Sequence, residues 1–195
     1  MPSAAPLLLP SVEEYLAAET DGEVRHEYLG GYLYAMAGAK TVHNRIAMSM
    51  LGALHTQLRG QPCEPFNSDM KVRLQMANHT RFYYPDGMVV CSPNGPDDPF
   101  QDQPVVIAEV ISESTRRTDE GEKREAYLSI ASLQVYLLIE TGQPRVVAYR
   151  RDAEATSSAD GFRSEVYSGL EEVVPLGEIS AELALSDLYE RVKFP

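Results

Sequence analysis

Residues 105–111 read Val-Val-Ile-Ala-Glu-Val-Ile, and this stretch decides the fold. The run is apolar on both faces, which is typical of a strand buried inside a sheet. One carboxylate, Glu109, interrupts it. Burying an ionised carboxylate is costly unless it is paired or bound to a metal. On this stretch alone, Glu109 is either a strand residue paired with an arginine or exposed at an edge, or part of a functional site.

The chain before this strand predicts a helix, a hairpin and a long helix. Ser11-Val-Glu-Glu14 has the pattern of a capping box and predicts a short helix through Ala18. Residues 26–36 predict a hairpin that turns at Gly30-Gly31. Apolar residues recur every four positions over 43–58, which predicts the long helix.

Further strands surround one more helix in the rest of the chain. Between residues 63 and 91 the pattern indicates strands, and the proline-rich residues 92–104 indicate a loop. The remaining predictions are a helix over 118–130, strands at 135–139, 146–149, 162–167 and 173–174 that complete the sheet, a polar loop over 153–161, and a helical end near 183–192. This order indicates an α/β or α+β fold, a mixed β-sheet flanked by helices.

Composition limits the classes of protein. The length of 195 residues fits one domain, which we place at residues 11–192 after a flexible segment 1–10. Cys63 and Cys91 lack metal-ligand spacing, so neither a disulfide scaffold nor a zinc site is expected. No apolar run is long enough to span a membrane, and no secretory signal is recognisable. We therefore expect a reducing, cytoplasmic setting.

The formal net charge of −12 counts against nucleic-acid binding, because such proteins usually carry a basic excess. A second acid nevertheless accompanies Glu109. Asp86 lies in Tyr84-Pro-Asp-Gly87, directly before the apolar strand 88–91. It is either an ordinary turn residue or a partner of Glu109 on a neighbouring strand. Two such carboxylates suit Mg²⁺.

A basic residue and two further polar residues complete the candidate set. Lys123 lies on the helix after the Glu109 strand, with Tyr127 four residues later on the same face. Beside a metal, Lys123 can orient water and stabilise charge; otherwise it is a solvated helix lysine. Glu27 could add a carboxylate, and His43 either faces the cleft or caps the long helix.

At these residues the sequence resembles the Uma family of bacterial endonucleases, which have the restriction-endonuclease-like, PD-(D/E)XK fold. The resemblance covers about residues 11–192. Its most specific part is the ordered set Glu-Val-Ile-Ser-x-Ser-Thr-Arg-x-x-Asp-x-x-x-Lys-x-x-x-Tyr, which runs from Glu109 to Tyr127 and includes Arg116 and Asp119.

The resemblance implies roles for these residues. Asp86 corresponds to the acid of the Pro-Asp pair and Glu109 to the second acid, with Glu27 as an additional acid. The lysine normally follows the second acid by two residues, where this chain has Ile111. The resemblance places it instead at Lys123. The backbone carbonyl of Val110 becomes a further metal ligand, whereas His43, Arg116, Asp119 and Tyr127 become auxiliary residues.

Two departures from the family pattern concern the substrate. The family usually has Ser-Pro-Ser where this chain has Ser112-Glu113-Ser114, so Glu113 adds negative charge beside the site. The chain also has no tryptophan, although the family often has a Tyr-Trp pair in the strand that here covers 135–140.

The leading hypothesis is a Mg²⁺- or Mn²⁺-dependent endonuclease that hydrolyses phosphodiester bonds in DNA. The alternatives are a non-catalytic binding or regulatory domain with the same fold, and a small-phosphoester hydrolase with a closed pocket. The candidate phosphate contacts are Arg116, Arg117, Lys123 and Arg124 near the cleft, with Lys71 and Arg73 on a strand edge as further candidates. Because cutting two strands needs two sites, we expect a homodimer, with Leu7–Leu9 and Leu133–Leu138 as candidate contacts.

Overall fold

The computed structural model describes residues 9–112, 115–152 and 161–194. The helices are α1 (Val12–Asp21), α2 (Thr41–Gln57), α3 (Arg116–Asp119), α4 (Glu122–Leu128) and α5 (Leu185–Leu188). The strands are β1 (His26–Leu29), β2 (Tyr32–Ala35), β3 (Glu64–Asn67), β4 (Lys71–Gln75), β5 (Thr80–Tyr83), β6 (Gly87–Val90), β7 (Phe100–Gln101), β8 (Pro104–Ile111), β9 (Val135–Glu140), β10 (Arg145–Arg151), β11 (Phe162–Ser168), β12 (Val173–Leu176) and β13 (Ala181–Ala184).

The largest sheet has six strands in the order β11-β10-β9-β8-β6-β3. Strand β8 lies inside it, antiparallel to β6 and parallel to β9. Parallel strands need a crossover connection, and here α3 and α4 form it between β8 and β9. The crossover therefore begins directly after the strand that carries Glu109. The mixed sheet with flanking helices confirms the predicted fold class.

A second sheet has five strands in the order β2-β1-β5-β4-β7. Its edge is the predicted hairpin, in which Gly30 and Gly31 have φ values of 59° and 103°. Positive φ at both turn positions is typical of a type I′ turn, which glycine forms without strain. Helix α1 packs beside this sheet, and the predicted capping box is present at Ser11 and Glu14.

Two apolar cores lie on opposite faces of the six-stranded sheet. Val106, Ala108 and Val110 of β8 belong to the core that includes α2, where the predicted stripe of Ile46, Met50 and Leu54 is buried. Ile107 and Ile111 belong to the other core, with Tyr127 and Tyr136. Since side chains alternate along a strand, Glu109 lies in the row of Ile107 and Ile111, facing α4.

The single helix expected over 118–130 is wrong. Two short helices, α3 and α4, meet at Gly121, whose φ and ψ are −107° and −103°. A β-carbon at Gly121 would lie 2.6 Å from the carbonyl oxygen of Arg117. The sequence pattern was continuous, but the backbone changes direction at the one residue that has no side chain.

Three smaller expectations also need correction. The loop over 92–104 contains the short strand β7, which pairs with β4. Strand β12 does not complete the large sheet; it pairs with β13 in a separate two-stranded sheet. The helical end is confined to α5, because residues 181–184 form β13. Helices and short strands are hard to separate in such short apolar segments.

Cys63 and Cys91 form a disulfide bond, contrary to the expectation of a disulfide-free chain. The reason is the sheet register: Glu64 pairs with Val90 on antiparallel β3 and β6, which places the cysteines just beyond them opposite each other. Expected dimer contacts at Leu133–Leu138 are also wrong, since Leu133, Leu137 and Leu138 are buried in the protein interior.

Some expectations lie outside the described residues: those for residues 1–8, for Glu113 and for the loop over 153–160. Within the part of the chain that the structure describes, no helix has the length and apolar character needed to cross a membrane.

Candidate active site

Asp86, directly before β6, lies beside Glu109 of the neighbouring strand β8. The β6–β8 register pairs Gly87 with Ala108, which places the residue before β6 next to the carboxylate of β8. The backbone N–H of Val110 donates to Oδ2 of Asp86 at 2.8 Å. The backbone N–H of Asp86 donates to Oε2 of Glu109 at 3.4 Å. Asp86 is therefore more than a turn residue, because the sheet holds it against Glu109.

Lys123 completes the cluster from α4. Its Nζ lies 3.2 Å from Oε1 of Glu109 and 2.9 Å from Oε1 of Glu27. Asp119, one helical turn earlier across Gly121, is 3.8 Å away. Lys123 is only 8% exposed, so the solvated-lysine interpretation is wrong. The ammonium group instead lies among three carboxylates.

Tyr127 fixes the orientation of Glu109. Its hydroxyl donates to Oε1 of Glu109 at 2.9 Å, the same oxygen that Lys123 contacts. The Tyr127 ring is fully buried between the edges of Tyr83 and Tyr136. With two donors on Oε1, the carboxylate has its other oxygen, Oε2, turned towards Asp86.

His43, in the first turn of α2, faces the site rather than capping the helix. Its Nε2 lies 3.1 Å from Oδ2 of Asp86. Hydrogen bonding to Asp86 raises the pKa of His43, while burial opposes the increase and a hydrogen bond to the backbone of Val110 adds to it. The Asp86 carboxylate therefore stabilises the protonated form of His43 relative to a free histidine.

Burial sets the electrostatics of this cluster. Glu109 is 3% exposed, and burial raises its pKa well above the ordinary value, against the opposing effect of the Lys123 ammonium. Burial likewise raises the pKa of Asp119. Burial lowers the pKa of Lys123, but the carboxylates of Glu109, Glu27 and Asp119 together raise it above its ordinary value. The cluster holds more negative than positive charge, a state that a bound cation would stabilise.

Most of the basic residues expected to contact phosphate are engaged within the protein instead. Arg116 contacts Glu140 at 2.5 Å and Glu120 at 2.6 Å. The guanidinium of Arg124 lies over the ring of Tyr149. On strand β4, Lys71 is buried and Arg73 forms an ion pair with Asp102. Arg117 is exposed and is not among the residues that line the cleft.

The cluster opens into a cleft of about 1190 Å³. All the predicted site residues line it except Tyr127, which supports Glu109 from behind. The rim adds three exposed residues that the sequence analysis missed: Arg25, Tyr34 and Lys40. Their only sequence signal was position, since each flanks the hairpin or the start of α2. The exposed rim fits an open groove better than the closed pocket expected of a small-phosphoester hydrolase.

The donor atoms suit a hard divalent cation. Oδ2 of Asp86 and Oε1 of Glu109 accept hydrogen bonds of 2.8 and 2.9 Å, whereas Oε2 of Glu109 accepts only a long one of 3.4 Å from the Asp86 N–H. Oδ1 of Asp86 and Oε2 of Glu109 are therefore the carboxylate oxygens that could bind a cation. Oxygen ligands of this kind are those that Mg²⁺ and Mn²⁺ prefer. No group of three or more acidic, histidine or cysteine residues in the described ranges is already arranged around a metal position. Glu27 contacts Lys123 instead.

Comparisons with known proteins agree with this fold. The Uma2 family model, described as "Putative restriction endonuclease", matches residues 12–184. Two proteins of Synechocystis, both named as uncharacterized (slr1290 and sll1609), are 33% identical over 150 residues and 34% identical over 141 residues. These matches cover 76% and 71% of this chain, and 78% of each relative.

A solved structure has the same fold. It is the crystal structure of "a putative nuclease belonging to DUF820" from Anabaena variabilis, with a TM-score of 0.70 and 17% sequence identity. The match covers 91% of this chain and 96% of the other. At this identity the likeness concerns the fold alone.

Proposed function

Since the chain belongs to the Uma2 family, whose members have a restriction-endonuclease-like fold, we propose that it is a metal-dependent endonuclease that hydrolyses phosphodiester bonds in DNA. One observation carries the proposal: Asp86, Glu109 and Lys123 converge in an open cleft, from two neighbouring strands and the crossover helix. We also propose that residues 11–192 act as one domain.

Each residue has a distinct role in this proposal. Asp86 and Glu109 hold Mg²⁺ or Mn²⁺, with the Val110 carbonyl as a further ligand and Glu27 as an accessory acid. When bound, the metal polarises the phosphate and lowers the pKa of its water. Lys123 orients the attacking water or donates to the phosphate oxygen on which charge develops. Tyr127 holds Glu109, and His43 holds Asp86.

Local charge supports a nucleic-acid substrate despite the net charge of −12. Arg25, whose Nη1 also pairs with the exposed Asp69 at 2.5 Å, and Lys40 are exposed on the cleft rim, where they can contact phosphates on either side of the scissile bond. A bound divalent cation offsets two negative charges at the centre. The family description supports the same substrate class.

Assembly and location belong to the same proposal. A homodimer provides two active sites, as cutting both strands of a duplex requires. We place the protein in the cytoplasm, where its DNA substrate is available. The Cys63–Cys91 disulfide is at odds with a reducing compartment, so the proposal includes reduced thiols at this position in the cell.

Metal titration followed by a plasmid-nicking assay tests the function. Mn²⁺ is titrated calorimetrically into the wild type, Glu109→Ala and Asp86→Asn, with Glu190→Ala as a control at an exposed acid outside the cleft. The proposal expects binding and nicking in the wild type and the control, and the loss of both in the two site variants. Circular dichroism verifies that the variants are folded.

Other results select the alternatives. Metal binding without nicking, combined with hydrolysis of a small phosphodiester, would favour the small-phosphoester hydrolase. No metal binding by the wild type would favour the non-catalytic domain.

A further inference from the structure

Strand β2 leaves one side of its backbone unpaired. It forms the edge of the five-stranded sheet and, among the strands of the described residues, pairs with β1 alone. The two-residue turn makes Leu29 and Tyr32 a hydrogen-bonded pair, and such pairs alternate along an antiparallel ladder. The alternation predicts that Arg25 and Met36 are also a hydrogen-bonded pair, and the Met36 N–H does donate to the Arg25 carbonyl. The N–H and C=O groups of Leu33 and Ala35 therefore point away from β1.

This edge is apolar and uncharged. Tyr32, Leu33 and Tyr34 are 58%, 44% and 54% exposed. Residues 29–39 contain no Asp, Glu, Lys, Arg or Pro. Natural edge strands are usually protected from pairing by charges, proline or a bulge. None of these devices interrupts β2, so the strand is suited to accept another strand.

A second copy of this chain fits this edge, because the edge lacks the charge that keeps two copies apart elsewhere. Each chain carries a net charge of −12, so two copies repel each other over most of their surfaces. The uncharged edge can approach its own copy without this cost. The edge of the other large sheet differs, because β11 carries Arg163 and Glu165. Antiparallel pairing of β2 with itself is also self-complementary, as a two-fold dimer requires.

We propose that β2 pairs antiparallel with β2 of a second copy, with the two-fold axis at Tyr34. The outward groups fix this register. Leu33 of one copy forms a hydrogen-bonded pair with Ala35 of the other, and the reverse pair lies on the far side of the axis. Tyr34 then faces Tyr34 across the axis as the closer, non-hydrogen-bonded pair. The two five-stranded sheets become one continuous sheet.

The dimer places both clefts on the same side. Tyr34 is paired with Glu27 in the β1–β2 ladder, so both side chains project from the same face of the sheet. A two-fold axis perpendicular to the sheet preserves that face. The two Glu27 residues are then three strand spacings apart, about 14 Å. Two active centres would therefore open towards one substrate.

Analytical ultracentrifugation tests the assembly without reference to cleavage, so its result is independent of the nuclease proposal. The wild type is expected to shift from monomer to dimer across the micromolar range. Tyr34→Glu places two like charges on the axis and is expected to remain monomeric. Val166→Glu is the matched control, because Val166 is 56% exposed on β11. It is expected to dimerise like the wild type.

Cysteine cross-linking tests the register. Tyr34→Cys is expected to form a covalent dimer under mild oxidation, whereas Tyr32→Cys is too far from its own copy to do so. A wild type that stays monomeric at all concentrations overturns the proposal. So does a dimer that Val166→Glu disrupts and Tyr34→Glu does not. A stronger cross-link at Tyr32→Cys overturns the register.

Discussion

The buried hydroxyl of Tyr127 donates a 2.9 Å hydrogen bond to Oε1 of Glu109. Lys123 contacts the same oxygen, so two donors from one face of α4 orient a carboxylate of β8. Hydrogen-bond partners of metal ligands restrict the rotation of those ligands and thereby strengthen metal binding. Tyr127 is thus positioned to influence the proposed metal site through Glu109.

The first prediction concerns this hydroxyl. Tyr127→Phe keeps the buried ring but removes the donor, so we expect Mn²⁺ affinity to fall about tenfold or more. Its free energy of unfolding should fall by about 1 kcal/mol. Tyr28→Phe is the control, because its hydroxyl donates to Pro10 away from the cleft. Calorimetry should detect weaker metal binding in Tyr127→Phe alone; equal affinities would contradict the positioning role.

The second prediction concerns pH. Because burial raises the pKa of Glu109 in the folded protein, this carboxyl lowers the stability of the metal-free fold at pH values above its ordinary pKa. The penalty shrinks as pH falls from the folded pKa towards the ordinary pKa, because the folded state binds the proton before the unfolded state does. Glu109→Gln should therefore raise the metal-free melting temperature at pH 7, by roughly 2–4 °C for each kcal/mol gained. Thermal melts from pH 7 downwards should show the difference shrinking. A constant difference at all pH values would be inconsistent with this cause.

The third prediction concerns Arg116. It contacts Glu140, whose carboxylate is 5% exposed, so removing the guanidinium leaves a buried charge with Arg145 at 3.3 Å as its remaining partner. We expect Arg116→Ala to lower the free energy of unfolding by about 1–3 kcal/mol in urea melts. Arg191→Ala, in an ion pair whose side chains are both largely exposed, should change stability by less than about 0.5 kcal/mol.

The fourth prediction concerns the disulfide. The bond closes a segment with a sequence separation of 28 residues between Cys63 and Cys91. The double variant Cys63→Ser and Cys91→Ser should therefore be less stable by about 2–4 kcal/mol. Thiol titration of the oxidised wild type under denaturing conditions should find no free thiol, and reduction should release both. Free thiols before reduction would show that the bond does not form in solution.

The fifth prediction concerns salt. If Arg25 and Lys40 contact phosphates, DNA binding should weaken steeply as salt concentration rises. Replacing either residue with alanine should weaken binding at all sequences and reduce the salt slope by about one unit. Fluorescence anisotropy with labelled duplexes measures both effects. A slope that neither substitution changes would place the DNA elsewhere.

The sequence predicted the centre of the fold well because the signals there were strong. A buried strand with one carboxylate, a capping box and a glycine hairpin each have a local physical cause, and the structure contains all three. The residues of the candidate site followed from the same strand and from the resemblance. Their chemical roles are still predictions.

Other features depended on contacts that no local pattern contains. The disulfide follows from the register of β3 and β6, and its two cysteines are 28 residues apart in the chain. Tertiary packing likewise brings Arg116 to Glu140 and places Tyr34 on the rim of the cleft. The apolar run Leu133–Leu138 could be either interior or interface, and only the burial of β9 decides between them.

Gly121 has a consequence for how such a site can change over evolution. The break that it introduces lets α4 present Lys123 to Glu109 independently of the strand that carries the acid. A lysine on the strand itself would be restricted to every second residue. Here an insertion or deletion in the connection after β8 can shift the ammonium while every strand keeps its register. The candidate site can therefore diverge within an unchanged scaffold, and a search for a fixed acid-to-lysine spacing will overlook such proteins.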